Sequence, residues 1–487
     1  MRRFMLLLCA AAVAITPAAA QRVRYLDPRD VAEAQRENAQ IIQELGGAET
    51  GPRAAYVESI GRRVSAYSGI ASPGQSLHFT TLNSAVENAF SVPGGYVYIT
   101  RQLMGLMGDE SQLAFALGHE VGHIAANHAH QREEVARELS WRALPQILLG
   151  QIIGGGFGNA IALRSQIAAK LQSLSFSREQ EYEADTLGLR YMTAAGYDPA
   201  GGPALLATLA RTTALEARVQ GRTNRRIPEW ASTHPLSENR ARRTFDEARA
   251  TGRLGTGIRN RDTFLSELEG LYVDDDPAQG IIDGPTFTHP DLRIRFRVPT
   301  GYLMSNGTDS VTVSGSAGKA QFRGAGFTGS LDDAILQIFE SLAGGEQQLA
   351  VPRPRHTVIN GMRAAISSAH VNTDSGAIDA SVAAYRWDPK RIYYFVMLTR
   401  GGSGVGPFAP MINSLRKISP VEAAAIRPRI IHVVTVGPRD TLQSFARRMA
   451  YRNYQLDRFL TLNGLTASSR LVPGQKVKLV VYGRRHG

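Results

Sequence analysis

The sequence predicts a multidomain α+β chain that is mainly helical at first, mixed in its middle, and ends in a short β-α-α-β module. Three observations predict it. Apolar residues recur at helical spacing early on, as in Ile41, Ile42 and Leu45, then Tyr56, Ile60 and Val64. After a run rich in Asp, Gly and Pro from Val273 to Pro285, the period changes to two, with Leu292–Val298 and Val311–Val313 alternating. The last part carries two apolar strand patterns that flank two short helical ones. A length of 487 residues also exceeds one ordinary domain.

The chain opens with Arg2 and Arg3, an apolar stretch from Phe4 to Ile15, and Ala18-Ala19-Ala20. This order reads as a signal peptide over residues 1–20, with a mature chain from Gln21 exported to the periplasm or the cell exterior. Cys9 is the only cysteine and would leave with that segment. Disulfides, thiol nucleophiles and thiolate metal ligands are thereby excluded, so a metal site must use His and carboxylate. The net charge of +12 comes largely from dispersed arginines. Such a surface suits anionic surroundings, here cell-wall polymer or lipid head groups, and no nucleic-acid partner is expected after export.

Pro28 to Ser68 reads as helical and Ser76–Leu82 as a strand. Gly94-Gly95 turns the chain into Tyr96–Thr100, which alternates like a half-buried strand. Asp109 is a good N-cap, with Gln112 at the reciprocal capping-box position, for a helix running through His119–His123. Polar residues from Gln131 to Arg142 suggest that it continues or that another follows. Ala143–Leu163 is uncharged but broken by Pro145 and glycines, so it reads as an apolar lid or a surface-associating segment, with a buried hairpin and, less favoured, a true membrane span as the alternatives. Helices are predicted at Ser177–Ala194, Pro203–Arg218 and Leu236–Ala250, then a linker at Val273–Pro285. Residues 286–418 form an α+β domain with a mainly antiparallel sheet and helices near Leu331–Leu342 and Phe408–Leu415. In pattern it resembles the small α/β sandwich of photosystem-associated and Mog-like proteins. A second linker, Ser419–Arg429, leads to strand Ile430–Val436, helices Thr441–Met449 and Tyr454–Leu462, and strand Val477–Val481.

The strongest local signal is His119-Glu120-Val121-Gly122-His123. Residues four apart share a helix face, so both imidazoles can reach one ion. Glu120 lies about 100° further round, close enough to meet a water on that ion without ligating it. Gly118 and Gly122 keep the flanking turns slim, which admits another element. A catalytic zinc needs a third protein ligand and an open position. The predicted helix Ser177–Asp185 offers Glu181, which can ligate, and Asp185, which can accept a hydrogen bond from the distal nitrogen of His119 and fix its tautomer. Glu179 and Glu183 read as its solvated face.

These segments, with Asn88-Ala89-Phe90 and Gly94-Gly95-Tyr96, resemble the zinc metallopeptidase family of HtpX and the CAAX prenyl proteases, and within it the periplasmic BepA/LoiP-like group. A metzincin is excluded, because Ala126 and Ala129 stand where its glycine and third histidine belong. The resemblance covers about residues 30 to 250. It implies one Zn2+ per chain held by His119, His123 and Glu181, with Glu120 as general base. It further implies that His234, in Ser232-Thr233-His234-Pro235, stabilises an oxyanion or caps the metal, and that Arg240 contacts oxyanion or substrate. His128 and His130 lie beyond the motif and read as surface residues. The strand around Asn88, Ala89 and Phe90 would offer an edge to an extended peptide.

Val433–Leu442, Leu462-Asn463-Gly464-Leu465 and Leu471–Val477 resemble a LysM domain, which implies a partner glycan containing N-acetylglucosamine, such as peptidoglycan. Arg439 departs from the usual glycine before Asp440-Thr441, which puts glycan affinity rather than fold in question. The chain is thus divided into a signal peptide (1–20), a mainly helical zincin-type peptidase domain (21–275), an α+β accessory domain (286–418) and a LysM-like module (430–482). The expected function is an exported zinc endopeptidase cutting misfolded envelope proteins while tethered to the wall. A peptidoglycan-binding scaffold or chaperone, and a murein peptide hydrolase, are the alternatives.

Overall fold

The structure is a computed structural model. It describes residues 25–70, 77–131, 176–219, 234, 238–343, 350–373 and 376–485. The expected signal peptide and the apolar segment 143–163 lie outside the described residues. No helix among the described residues is long and apolar enough to cross a membrane.

Two helices come first, α1 (Pro28–Glu44) and α2 (Pro52–Ser65). Asp27 caps α1 by accepting from the Arg29 amide, with Pro28 leading the helix. Strands β1 (His78–Leu82), β2 (Ala89–Val92) and β3 (Tyr96–Thr100) form a sheet ordered β1-β3-β2, with β1 parallel and β2 antiparallel to β3. The alternation in β3 predicted one wet face, yet all five residues are buried. Val97 and Ile99 face the main core, while Tyr96 and Tyr98 meet Ile41 of α1 and Phe90 across the other face. Asn38 accepts from the Tyr98 hydroxyl at 2.8 Å, which satisfies its polar tip.

Next come α3 (Arg101–Leu106) and α4 (Glu110–Ala126). Asp109 accepts from the Gln112 amide as expected of an N-cap. The Gln112 side chain, however, accepts from Gly108 rather than from the Asp109 amide, so the reciprocal half of the expected box is displaced by one residue. The expected continuation or second helix over residues 131–142 lies, apart from Gln131, outside the described residues. Asn127 in left-handed conformation (φ 61°) ends α4, and helical structure resumes at His128. Then follow α5 (Arg178–Ala194), started by a capping box between Ser177 and Gln180, α6 (Gly201–Val219), α7 (Glu238–Ala250) and α8 (Arg261–Leu268). Helices α4 and α5 touch backbone to backbone. A Cβ on Gly118 would stand 3.2 Å from the Gly188 carbonyl oxygen, one on Gly122 3.1 Å from that of Ala184, and one on Gly188 2.9 Å from the His119 nitrogen.

The run after α8 is no loose linker. It forms β4 (Tyr272–Val273) and β5 (Ile281–Asp283). The fully buried Arg101 holds it, donating to the carbonyls of Tyr272 (2.7 Å) and Asp274 (2.6 Å) and to Asn83. Asn83 in turn donates to Asp276.

The middle region is two sheets. Strands β6 (Thr286–His289) and β7 (Ile294–Arg297) join β5 and a short later strand, Arg416–Lys417, in a four-stranded sheet. The larger sheet comprises β8 (Leu303–Asn306), β9 (Ser310–Gly315), β10 (Gly318–Gly326), β11 (Arg355–Ile359), β12 (Met362–Thr373), β13 (Gly376–Asp388) and β14 (Arg391–Arg400), ordered β11-β12-β13-β14-β10-β9-β8. All its pairings are antiparallel. One of its faces packs on the small sheet through Phe296, Phe322 and Phe395. The other packs on α9 (Leu331–Ala343) through Ile335, Phe339 and Val382. Helix α10 (Ala409–Ser414) and strand β15 (Arg416–Lys417) complete the region. The second expected linker contains α11 (Pro420–Ala424), capped by Ser419 and Glu422.

The C-terminal module is β16 (Arg429–Thr435), α12 (Leu442–Ala446), α13 (Gln455–Leu462) and β17 (Lys476–Tyr482). Its strands pair antiparallel, and β4 adds a third strand alongside β16. Ile431, Phe445, Phe459 and Leu479 of the module share one apolar core with Leu103, Leu268 and Leu271. Lys478 sits in this shared interior, donating from Nζ to the carbonyls of Gly105 (2.7 Å) and Met107 (2.5 Å) at the end of α3. Burial pushes its pKa well below the usual lysine value, with Arg261 adding in the same direction.

A lowered lysine pKa means that the unfolded chain binds more protons, so the stability Lys478 confers rises with pH and is lost as pH falls. Relative to K478M, the native chain is expected to gain stability from pH 7 to pH 9 by up to about 1.4 kcal/mol per unit. Urea midpoints of both proteins check this, and parallel pH profiles would refute it.

Candidate metal centre

The paired histidines lie one turn apart on α4, buried against α5, and Glu181 enters from the first turn of α5. His119 Nε2 and His123 Nε2 are 3.0 Å apart. Glu181 reaches both, with Oε2 3.6 Å from His119 Nε2 and Oε1 3.5 Å from His123 Nε2. His234 Nδ1 lies 3.3 Å from His119 Nε2 and 2.9 Å from Glu181 Oε1. One donor atom from each of His119, His123, Glu181 and His234 falls within a 4.8 Å group. Donors around a tetrahedral ion at about 2.0–2.1 Å stand about 3.3–3.5 Å apart. The spacing and the nitrogen-and-carboxylate donor set therefore fit a divalent metal ion.

Glu120 is fully buried beside this group. Its Oε2 accepts from the Ser91 hydroxyl at 3.2 Å, while Oε1 has no hydrogen-bond partner and faces His234 Nε2 at 3.5 Å. Asp185 Oδ1 lies 3.0 Å from His119 Nδ1, on the ring edge opposite the cluster. The guanidinium of Arg240, expected to face an oxyanion or substrate, is instead committed to carboxylates. It donates to both oxygens of Asp185 (2.6 and 2.8 Å) and pairs with Glu181 at 2.5 Å, at 1% exposure.

The electrostatics follow from these contacts. Burial pushes His123 well below the ordinary imidazole value, only partly opposed by Glu181, which favours the neutral ring that ligation needs. Burial raises the Glu181 carboxyl, but the charges of His234 and Arg240 outweigh it and hold the pKa well below the carboxylate range. Asp185 is lowered in the same way, burial being overcome by Arg240 and then His119. His234 is raised, because Glu181 and Glu120 outweigh its burial.

The pattern of Peptidase family M48 matches residues 52–247, and that of the LysM domain matches residues 434–480. The chain carries an M48 metallopeptidase domain and a C-terminal LysM domain. The beta-barrel assembly-enhancing protease of Escherichia coli (strain K12) is 32% identical over 38% of this chain and 37% of its own length. The mitochondrial metalloendopeptidase OMA1 of Arabidopsis thaliana is 30% identical over 35% of this chain and 31% of its own. The chain thus spans about a third of the length of these relatives. The solution structure of cyanobacterial PsbP from Synechocystis covers 28% of this chain and 98% of its own, with 9% identity and a TM-score of 0.23, too loose to bear on the middle region.

Within the M48 domain, β2 lies at the sheet edge next to α4. Asn88, Ala89 and Phe90 are buried, with Phe90 stacked on Tyr98 at 4.8 Å. The residue of this strand that touches the cluster is Ser91, two positions on from Ala89 and so on the same face. A cleft of about 540 Å³ opens here, lined in part by Leu26, Asp30, Val92, His123 and Phe176. Phe176 stacks on the His123 ring at 3.8 Å.

His128 corrects the sequence reading. Expected on the surface, it is fully buried, with Nδ1 2.9 Å from His123 Nδ1. The reversal at Asn127 turns it back under the helix. His130 is partly exposed and pairs with Asp30 at 2.7 Å. Glu179 and Glu183 are exposed, as their solvated face required.

Removing the buried guanidinium would take from Asp185 its main countercharge and leave Glu181 with His234 alone. R240M is expected to lose about 3–5 kcal/mol of unfolding free energy in the metal-free protein. Denaturant titration measures it, and a loss under about 1 kcal/mol would contradict this account of Arg240.

Proposed function

We propose that this chain is an exported zinc-dependent endopeptidase that cuts unfolded or misfolded envelope polypeptides and is held at the cell wall by its LysM domain. The observation that carries the reading is the convergence of His119, His123 and Glu181 beside a buried Glu120 with a free carboxylate oxygen. The names of the bacterial relatives, which tie them to β-barrel assembly, support an envelope role.

Zinc held by these three residues would supply Lewis acidity, polarising a scissile carbonyl and making water a nucleophile near neutral pH. Glu120 Oε1 takes the proton of the attacking water and returns it to the leaving amine. Ser91 holds the other oxygen, so the free one stays aimed at the reacting atoms. Asp185 fixes the His119 tautomer, and Arg240 keeps both carboxylates ionised. An extended substrate adds to the edge of β2 by main-chain hydrogen bonds, a mode open to unfolded segments and closed to most folded ones.

His234 Nδ1 lies in the same donor group and would supply a fourth ligand to a bound metal, in the place that water or substrate oxygen needs. This favours the capping role over the oxyanion role, so that turnover would require His234 to give way to water or substrate.

E120Q is expected to retain stoichiometric zinc while casein cleavage falls by about 10²–10⁴-fold. Cleavage that survives this change would end the assigned mechanism. H234A is expected to raise casein cleavage several-fold, and a fall would restore the oxyanion role. Purified sacculi assayed in parallel separate the murein-hydrolase alternative, which requires release of wall peptides where casein is spared.

A further inference from the structure

His128 follows directly on Asn127, whose left-handed backbone reverses the chain after α4. Its ring sits edge-on to that of His123, with centroids 5.0 Å apart and planes at 71°. Its Nδ1 is 2.9 Å from His123 Nδ1, and its Nε2 is 3.3 Å from Glu183 Oε2. We infer that His128 is the positioning residue for His123, accepting a hydrogen bond from His123 Nδ1 and so holding the tautomer whose Nε2 lone pair points at the metal.

The inference rests on the metal reading above. Two ring nitrogens 2.9 Å apart require one proton between them. A ligating His123 uses the Nε2 lone pair, so its proton is on Nδ1. His128 Nδ1 must then be bare, which places the His128 proton on Nε2, where the Glu183 carboxylate accepts it. The opposite assignment puts a proton on His123 Nε2, pointing into the donor group. The two α4 histidines are therefore braced by different means. His119 leans on a carboxylate clamped by Arg240, and His123 leans on a neutral imidazole. Glu183 is 59% exposed, so water can replace it, whereas His128 is sealed from solvent. The effect of substitution is graded accordingly, large at residue 128 and small at residue 183.

The test is zinc affinity of the full chain, measured by competition with a chromophoric chelator, with the apo thermal midpoint recorded for each variant. H128L is expected to bind zinc about 10–100-fold more weakly. H128N, whose amide oxygen can accept from His123 Nδ1, recovers most of that loss, and E183Q changes affinity by less than about threefold. H128L binding as tightly as the native chain overturns the inference, as does H128N binding as weakly as H128L. If H128L does not fold, imidazole ¹⁵N spectra of the zinc-loaded native chain decide. A bare Nδ1 and protonated Nε2 on His128 are expected, and a protonated Nδ1 overturns the assignment. A native chain that takes up no zinc removes the metal reading itself, whereas a zinc-binding native chain with an unchanged H128L removes this inference alone.

Discussion

The centre depends on how closely α4 and α5 approach. Gly118, Gly122 and Gly188 let the two helices meet at backbone distance, and only then can Glu181 stand within 3.6 Å of both imidazoles on the other helix. The same approach buries two carboxylates and several histidines, an arrangement that is costly unless the charges are matched. Arg240, coming from a third helix, matches them. A side chain at any of the three glycines would wedge the pair apart and part the metal ligands together with the charge network.

Much of the site was legible because its signals are local. The His119–His123 spacing, the Asp109 cap and the pairing of Glu181 with Asp185 each depend on one helix. What escaped depended on distant partners. Nothing near His128 announces that Asn127 reverses the backbone or that α5 then covers the ring. Ser91 looks like any strand serine until α4 lies across it. The period of β3 suggested one wet face, because α1, which seals it, is some fifty residues earlier in the chain.

The apparent linkers failed for a related reason. Asp, Gly and Pro between 273 and 285 do mark turns, but the segment is anchored by Arg101 at the start of α3, and β4 pairs with a strand of the C-terminal module. Composition registers turns. It does not register that a buried cation elsewhere needs carbonyl oxygens. Lys478 is a related case, a buried amine on an apolar strand that donates to the carbonyls at the end of α3.

The shared core between the LysM domain and the peptidase half has a mechanical outcome. A strand that completes its neighbour's sheet acts as a bracket and not as a leash. If the module grips a wall glycan, the proteolytic cleft is carried at a set bearing and cannot roam on a flexible arm. Its working radius is then fixed by the fold, and whatever it acts on must diffuse to it.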